Sequence, residues 1–301
     1  MEAWIPITIA AAFFQNLRTA AQKKLQGSLG VRGASFVRFG FGFPLALAYL
    51  AGLHFIGGRS LPPINFGFTI WCMIGGLAQI AATILLVYMF TQRNFAVGTA
   101  YSKTEPVQAA LFALIILGEK LTRGTVLAII VGVFGVMLIS IARAPMTWRG
   151  IGAALISRTA GIGILSGALF GISAVAFRTA GLQLDTPHPI IRAAMALACA
   201  TTFQTIVMVV WIFMKDAGEF GRVARAWKSS TLIGVTSVVG SACWFTAMAL
   251  QPVAYVRSLG QIELIFTFAS SIFLFKEKIN ALEVTGCLLI CAGILTLLWM
   301  G

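Results

Sequence analysis

Two glutamates lie in the middle of long apolar segments, where burying an ionisable side chain is costly and usually marks function. Glu105 is the eleventh residue of segment 95–117, and Glu263 is the eleventh residue of segment 253–275. A carboxylate at that depth can bind an ammonium group or a proton, which is chemistry suited to solute transport. The alternative is structural, because a buried glutamate can also hold helices together through a hydrogen bond or an ion pair.

Each glutamate belongs to a polar face of its predicted helix, because polar side chains recur near it at helical spacing. We expect both faces to line a water-accessible cavity, with Glu105 binding substrate and Glu263 supporting it. This division follows from Pro106, which perturbs the first helix, whereas the second helix has a smoother lining. If the faces are structural, Lys103 and Arg257 are the available partners. The neighbours on the two faces are Tyr101, Gln108 and Phe112 for Glu105, and Gly260, Thr267 and Ser270 for Glu263.

Cationic, amide and aromatic side chains complete the candidate substrate site. Arg18, Lys103 and Arg178 can bind a substrate carboxylate. An arginine near a helix end can also extend to the membrane surface, and this alternative is stronger for Arg38 and Arg192. Each of the remaining candidates could instead form a hydrogen bond between helices. These candidates are Asn16, Gln79, Tyr88, Tyr101, Trp244, Tyr255 and Gln261.

The segments that must position these side chains are predicted membrane spans. The chain of 301 residues is 59% hydrophobic and only 10% charged, whereas a soluble domain has about 25% charged residues. Such a surface would aggregate in water, which excludes an ordinary soluble enzyme. A spanning helix needs about 20 apolar residues, and the sequence predicts an all-helical membrane protein with ten of them. The predicted spans are 4–22, 33–53, 67–90, 95–117, 124–142, 160–181, 190–214, 230–250, 253–275 and 281–300.

The two halves of the chain resemble each other, which predicts an internal repeat. The repeats are two sets of five helices, at 1–145 and 146–301. Because five is odd, the second repeat enters the membrane from the opposite side, so the repeats are inverted, as in many secondary transporters. The aligned pairs, at offsets of 154 to 160 residues, are Glu105 and Glu263, Glu119 and Glu277, Gly135 and Gly293, Arg18 and Arg178, and Arg38 and Arg192.

Lysine and arginine are distributed unevenly between the two sides of the predicted topology. Thirteen lie in loops on one side and three on the other, with the remaining six inside spans. The rich side is expected to be cytoplasmic, which makes both termini periplasmic in the inner membrane of a bacterium. Between two spans, the basic segment 215–230 also contains apolar residues and predicts a short interfacial amphipathic helix.

The sequence contains none of the motifs that would indicate catalysis or a cofactor. It has no GxxxxGK[ST] phosphate loop, no HExxH motif and no Ser/His/Asp arrangement, so we expect neither an enzyme nor a cofactor. The five cysteines form no CxxC pair and the two histidines have no neighbouring ligands, so no metal site is expected. The net charge of +13 is scattered rather than gathered on one face, which argues against nucleic acid as a partner.

Motifs in both halves give the chain a resemblance to a known family. They are Glu105-Pro106-Val107, Leu117-Gly118-Glu119-Lys120-Leu121-Thr122, Gln251-Pro252-Val253-Ala254 and Phe275-Lys276-Glu277-Lys278-Ile279. With ten spans, this pattern resembles the EamA branch of the drug/metabolite transporter superfamily, and most of all the YddG-type aromatic amino acid exporters. The resemblance implies a central cavity lined by the first, third, fourth, sixth, eighth and ninth spans. It also implies cytoplasmic termini, the reverse of what the Lys and Arg distribution predicts.

The expected function is export of amino acids, aromatic and other neutral ones, by alternating access. Glu105 or Glu263 would bind the substrate ammonium, a cationic side chain its carboxylate, and aromatic side chains its apolar part. A second hypothesis is export of drugs or organic cations, because a membrane carboxylate among aromatic side chains suits a cation. A third is a membrane scaffold or enzyme subunit without transport of its own. The expected partners are a small-molecule substrate and the lipid bilayer, and the oligomeric state is left open, a monomer included.

Overall fold

The structure is a computed structural model that describes residues 2–92, 102, 104–141, 158–276 and 280–300. Every regular element in these ranges is helical. A π-helical turn at Gly52–Ile56 extends the second helix, and a 3-10 turn at Gly260–Ile262 separates the tenth from the eleventh. In chain order the helices are α1 (Trp4–Gly40), α2 (Phe43–Ala51), α3 (Phe66–Gln92), α4 (Glu105–Leu117), α5 (Arg123–Ile141), α6 (Arg158–Leu182), α7 (Pro189–Asp216), α8 (Gly218–Arg225), α9 (Trp227–Leu250), α10 (Val253–Leu259), α11 (Glu263–Phe273) and α12 (Ala281–Met300).

Most of these helices have the length and composition of membrane spans. Besides six long stretches, α4 and α5 are shorter apolar helices. The predicted all-helical, multi-pass membrane protein is therefore confirmed, whereas the count of ten spans stays a prediction. Among the described residues, the six stretches long and apolar enough to cross a bilayer are Trp4–Ile56, Phe66–Thr91, Arg158–Leu182, Pro189–Asp216, Trp227–Leu250 and Ala281–Met300.

The helix α1 is not straight, because the chain bends sharply at Gly30. This residue has φ 67° and ψ −179°, a conformation that residues with a Cβ rarely adopt. The Nε2 of Gln22 donates to the carbonyl of Ala34 at 2.8 Å, although twelve residues of straight helix would separate the two positions by about 18 Å. The arms before and after Gly30 therefore fold back toward each other. The residues between the predicted spans 4–22 and 33–53 are therefore helical on both sides of the bend.

The predicted span 253–275 is broken near its middle. Helix α10 ends at Leu259, the 3-10 turn follows, and α11 begins at Glu263. A 3-10 turn is wound more tightly than an α-helix and marks a local irregularity. A local irregularity therefore directly precedes Glu263, so a perturbed helix is not a feature of Glu105 and Pro106 alone. Glu105 and Pro106 form the first turn of α4.

The helix α8 lies between α7 and α9, where the sequence predicts an amphipathic piece over 215–230. Val223 is buried against α1 and its neighbours, while Arg222 on the other side forms ion pairs with Asp216 and Glu219. Hydrogen bonds to the carboxylates of Glu219 and Asp216 raise the pKa of Arg222 above its ordinary value. The segment is thus helical with one apolar face and one charged face, as predicted.

Three pairs of helices pack along their lengths: α1 with α9, α3 with α6, and α5 with α12. In the predicted repeats, α1 corresponds to α6, α3 to α9, and α5 to α12. The α1–α9 pair is therefore equivalent to the α3–α6 pair, and the α5–α12 pair is equivalent to itself. The contact of α5 with α12 is close, since a Cβ on Gly135 would lie 2.5 Å from the carbonyl oxygen of Gly286. A Cβ on Gly171 of α6 would lie 3.1 Å from the amide nitrogen of Ala109 in α4. The predicted repeat boundary at 145 and 146 lies outside the described residues.

Candidate substrate site

The first turns of α4 and α11 place Glu105 and Glu263 in the protein interior. Glu105 is 3% exposed and Glu263 is 2% exposed. Each is the first residue of its helix, where the positive end of the helix dipole favours a negative charge. The backbone therefore gives each carboxylate a buried position that is electrostatically favourable.

Arg257 joins Glu105 to an aromatic ring. Its Nη1 lies 2.9 Å from Oε1 of Glu105, and both side chains are less than 10% exposed. Its guanidinium carbon lies 4.5 Å from the centre of the Trp244 ring, which is a cation–π distance. Glu105 thus has the ion-pair partner that the structural alternative proposed, and that partner also contacts the main aromatic side chain of α9.

Gln15 of α1 continues this chain of contacts from Trp244 to the second glutamate. Its Oε1 accepts a hydrogen bond from Nε1 of Trp244 at 2.8 Å. Its Nε2 donates to Oε2 of Glu263. One continuous chain of polar contacts therefore leads from Glu105 to Glu263 and joins α1, α4, α9, α10 and α11.

Asn16 attaches the same turn of α1 to α11. Its Nδ2 donates to Oγ1 of Thr267 at 3.1 Å, and its Oδ1 accepts from Oγ of Ser270 at 2.6 Å. Both hydroxyls belong to the polar face that the sequence assigns to Glu263. In this structure that face contacts α1, so Asn16 forms hydrogen bonds between helices.

Two more arginines lie in the same interior region. Arg18 is 2% exposed and within electrostatic range of Glu263 and Arg257. Arg38 is 5% exposed, donates from Nη1 to Oγ1 of Thr83 at 2.8 Å, and lies within electrostatic range of both other arginines and Glu263. The alternative that Arg18 and Arg38 extend to the membrane surface is therefore wrong. We call the following five side chains the buried charge cluster: Arg18, Arg38, Glu105, Arg257 and Glu263.

Arg178 makes its contacts at one end of the helix bundle. It forms an ion pair with Glu119 and donates to the carbonyl oxygens of Met248 and Gln251, the latter at 2.7 Å. The other carboxylate oxygen of Glu119 accepts from the backbone N–H of Val253 at 3.1 Å. Arg178 therefore holds α6, the loop after α4 and the α9–α10 connection together at what we call the Arg178 end.

Tyr255 and Gln108 also contact neighbouring elements. The hydroxyl of Tyr255 donates to Oγ1 of Thr122 at 3.3 Å, close to the Arg178 end. The Nε2 of Gln108 donates to the carbonyl of Ile164 in α6 at 3.4 Å. Both candidates thus form hydrogen bonds between elements in this structure.

Two further amides differ in what surrounds them. Gln261 lies against α5, since a Cβ on Gly132 would approach its Oε1 to 2.4 Å. Gln79 is buried on α3, and its Oε1 accepts from Nε2 of Gln204 at 2.9 Å. Gln79 also lines a small cavity with Arg38, so it borders the buried charge cluster, whereas Gln261 is held between helices.

Tyr88 is half-buried on α3, while Tyr101 and Lys103 lie outside the described residues. Their part in a substrate site therefore stays a prediction.

The sequence analysis left three side chains of this region out of the candidate site. They are Gln15, Arg38 and Arg257. Gln15 could have been included, because it is a polar side chain deep in the first predicted span. Arg257 was expected only as a structural partner of the glutamates, and it forms that pair with Glu105. Arg38 gave no such signal, because its contacts come from helices distant in sequence.

Comparison with known proteins identifies the family of the chain. The sequence profile described as the EamA-like transporter family matches the chain twice, at residues 2–141 and 158–299. The chain belongs to the EamA-like transporter family. This EamA-like transporter therefore consists of two successive family units, separated within a part of the chain that the structure does not describe.

Individual relatives resemble only parts of this EamA-like transporter. A probable magnesium transporter NIPA1 of Arabidopsis thaliana is 31% identical over 80 residues, which is 27% of this chain and 23% of that protein. An uncharacterized transporter of Helicobacter pylori is 35% identical over 68 residues, which is 23% of this chain and 22% of that protein. The chain thus matches less than a quarter of the length of each relative.

A solved structure covers the whole fold. A chain described only as a crystal structure of a protein superposes with a TM-score of 0.68 and 16% identity, over 98% of this chain and 95% of its own. At that identity the likeness concerns the fold alone.

Proposed function

We propose that this EamA-like transporter exports amino acids, aromatic and other neutral ones, across the bacterial inner membrane by alternating access. The observation that supports this proposal is the buried charge cluster with Trp244 beside it. An amino acid presents an ammonium group, a carboxylate and an apolar side chain. The cluster offers carboxylates, guanidinium groups and an aromatic ring within one network of contacts.

The charge balance of the cluster favours an amino acid over a cation. Among the described residues the cluster holds three arginines and two glutamates. An organic cation would enter a region of net positive charge and low dielectric, where like charges repel strongly. The same argument applies to magnesium, the ion in the name of the Arabidopsis relative.

The two ends of the bundle differ in a way that suits alternating access. Helix α1 begins at the Arg178 end, where the Glu2 side chain accepts from Nε2 of Gln251. Lys24 lies twenty residues after Trp4, about 30 Å along the helix, and so at the opposite end. A pocket of about 450 Å³ lies there, between Leu17, Lys24 and Phe275. This pocket therefore lies toward the end that Arg178 does not hold together.

Counterflow in proteoliposomes tests the proposed function. The purified full-length protein is expected to exchange labelled phenylalanine and leucine, and protein-free vesicles are expected not to. Arg257→Gln removes the group that contacts both Glu105 and Trp244, so it should abolish exchange. Arg225→Gln is the matched control, because it removes an exposed guanidinium from α8 and should leave exchange intact. Melting temperatures of both variants show whether they fold.

Two results would replace the proposal. Exchange of an organic cation such as tetraphenylphosphonium, without exchange of any amino acid, would establish the drug or organic-cation hypothesis. Failure of the folded protein to move amino acids, organic cations and magnesium would establish a scaffold or subunit without transport of its own.

A further inference from the structure

A small polar cavity lies around Arg38, among helices α1, α3, α7 and α9. Its polar walls include Gln79 of α3, Gln204 of α7, and Ser237 and Ser241 of α9. All of these side chains are buried, with exposures of 8% or less. We call this space the Arg38 chamber. None of its residues except Gln79 belongs to the predicted site.

Arg38 has no carboxylate partner among the described residues. Its hydrogen bond there goes to the hydroxyl of Thr83, which in turn donates to the carbonyl of Gln79 at 2.7 Å. Removing a guanidinium from water costs free energy, and a hydrogen bond to a neutral hydroxyl offsets only a small part of that cost. The position is therefore well suited to an anion.

The walls of the Arg38 chamber supply further donors. Oγ of Ser237 is buried and has no hydrogen-bond partner in the part of the chain that the structure describes. The amide of Gln79 uses its oxygen to accept from Gln204, which leaves its NH₂ group as a donor. An oxyanion entering the chamber could thus accept hydrogen bonds from the guanidinium, a hydroxyl and an amide. Charge-assisted bonds of this kind are the stronger ones in proteins.

One face of α9 connects the Arg38 chamber to the Glu105–Arg257 pair. Ser237, Ser241 and Trp244 follow the i, i+4, i+7 spacing and lie on that face. Ser237 and Ser241 line the chamber, and Trp244 contacts Arg257. A molecule with an anionic group at Arg38 would therefore place its remaining atoms toward Trp244 and the glutamates.

We propose that the Arg38 chamber is the subsite for the carboxylate of the transported molecule, an inference that rests on the proposed function. The buried charge cluster carries one more positive than negative charge, which favours a carboxylate at Arg38, whereas a phosphate dianion would exceed that excess. The ammonium of the same amino acid would lie toward Glu105 and Glu263. The chamber has a volume of about 10 Å³, which is room for one water-sized group. It therefore admits one oxygen of the carboxylate, and the rest of the substrate lies outside it.

The experiment measures binding to the purified full-length protein with probes that differ by one functional group. L-phenylalanine has both charged groups, 3-phenylpropanoate lacks the ammonium, and phenethylamine lacks the carboxylate. Thermal unfolding reports binding because a ligand of the native state stabilises it. We expect phenylalanine and 3-phenylpropanoate to raise the melting temperature, and phenethylamine and inorganic phosphate not to.

Three variants test whether the substrate carboxylate binds in the Arg38 chamber. Arg38→Gln should weaken binding of phenylalanine and 3-phenylpropanoate by roughly 10- to 150-fold, the value of a charged hydrogen bond. Arg192→Gln is the matched control, because the sequence offset pairs this arginine with Arg38, and it should bind both probes normally. Ser237→Ala removes a hydroxyl without a described partner, so it should preserve folding yet weaken both probes by roughly 2- to 12-fold. This milder variant keeps the test valid if Arg38→Gln does not fold.

The outcomes separate this inference from the proposed function. If phenylalanine is not exchanged in vesicles but 3-phenylpropanoate binds in an Arg38-dependent way, the carboxylate subsite stands and the amino acid proposal fails. If phenylalanine is exchanged and folded Arg38→Gln and Ser237→Ala bind like the wild type, the subsite is refuted. Equal weakening by Arg192→Gln, stabilisation by phenethylamine alone or by phosphate alone, or no response to either carboxylate would also refute it.

Discussion

Glu105 and Arg257 form a 2.9 Å ion pair inside the membrane protein, and its two members come from different halves of the chain. Trp244 covers the guanidinium, and Gln15 carries the contact on to Glu263. The two glutamates are therefore parts of one network of contacts rather than separate sites. That network joins α1 and α4 of the first half with α9, α10 and α11 of the second half.

Removing the charge of Glu105 should destabilise the fold as well as weaken binding. Glu105→Gln leaves Arg257 buried without its carboxylate, and breaking a buried pair costs about 3–5 kcal/mol. Loss of a charged contact should weaken substrate binding roughly 10- to 150-fold. Thermal unfolding and ligand binding measure the two effects. Adding Arg257→Gln to the same chain should recover part of the lost melting temperature, and simple additivity of the two losses would contradict the pairing.

The substitution Glu263→Gln should be the milder of the two. The new amide oxygen can still accept the hydrogen bond that Gln15 gives to Glu263, although the charge near Arg18 is lost. We expect a smaller loss of phenylalanine binding than in Glu105→Gln, measured under the same conditions. Normal binding by Glu105→Gln together with failure of Glu263→Gln would exchange the assigned roles. Normal binding by both would make the carboxylates structural.

The contacts of Arg178 should determine how tightly the Arg178 end is closed. In a background without native cysteines, Val253→Cys places a thiol at a fully buried position beside Glu119. Adding Arg178→Gln should raise its rate of labelling by a water-soluble maleimide, because α9 and the loop after α4 lose their shared donor. Arg123→Gln, which removes an exposed guanidinium close to the same loop, should not. Equal labelling with and without Arg178 would show that other contacts close this end.

Two glycines of α1 should respond in opposite ways to alanine. Gly30 has a positive φ with an extended ψ, a region that is essentially restricted to glycine, so Gly30→Ala should cost about 1–3 kcal/mol of stability. Gly27 lies in the helix with open space around its Cα, so Gly27→Ala should stabilise by up to about 1 kcal/mol. Thermal unfolding compares the two variants, which add the same methyl group three residues apart. Similar melting temperatures would mean that the bend does not need a glycine.

The topology prediction can be checked in whole cells. The Lys and Arg distribution places 143–159 and 215–229 in the cytoplasm, and 118–123, 182–189 and both termini in the periplasm. Single cysteines in these loops should react with an impermeant reagent only at the periplasmic positions. Labelling of 215–229 from outside would reverse the orientation and agree with the resemblance to transporters with cytoplasmic termini.

The helices could be predicted from sequence because they depend on local patterns of apolar residues. The burial of Glu105 and Glu263 followed in the same way, from their depth within apolar segments. The contacts of Arg178 could not be predicted, because Glu119 and the Gln251 carbonyl lie far from it along the chain. Arg38 was missed for the same reason. Because Arg38 lies close to the start of a predicted span, its side chain was expected to reach the membrane surface. In the structure, α3, α7 and α9 enclose it.

The bend at Gly30 has a consequence for how the protein is made. The amide of Gln22 finds its acceptor, the carbonyl of Ala34, within the first forty residues. This polar group is therefore satisfied as soon as the two arms leave the ribosome and insert as a helical hairpin. Gln15 and Asn16 lie two turns earlier, and their partners Trp244 and Ser270 belong to the last third of the chain. Their side chains therefore lack these hydrogen bonds until that part of the chain has been synthesised. The first hairpin thus satisfies the amide of Gln22 by itself, whereas the polar groups in its first arm find their partners only after α9 and α11 have been made.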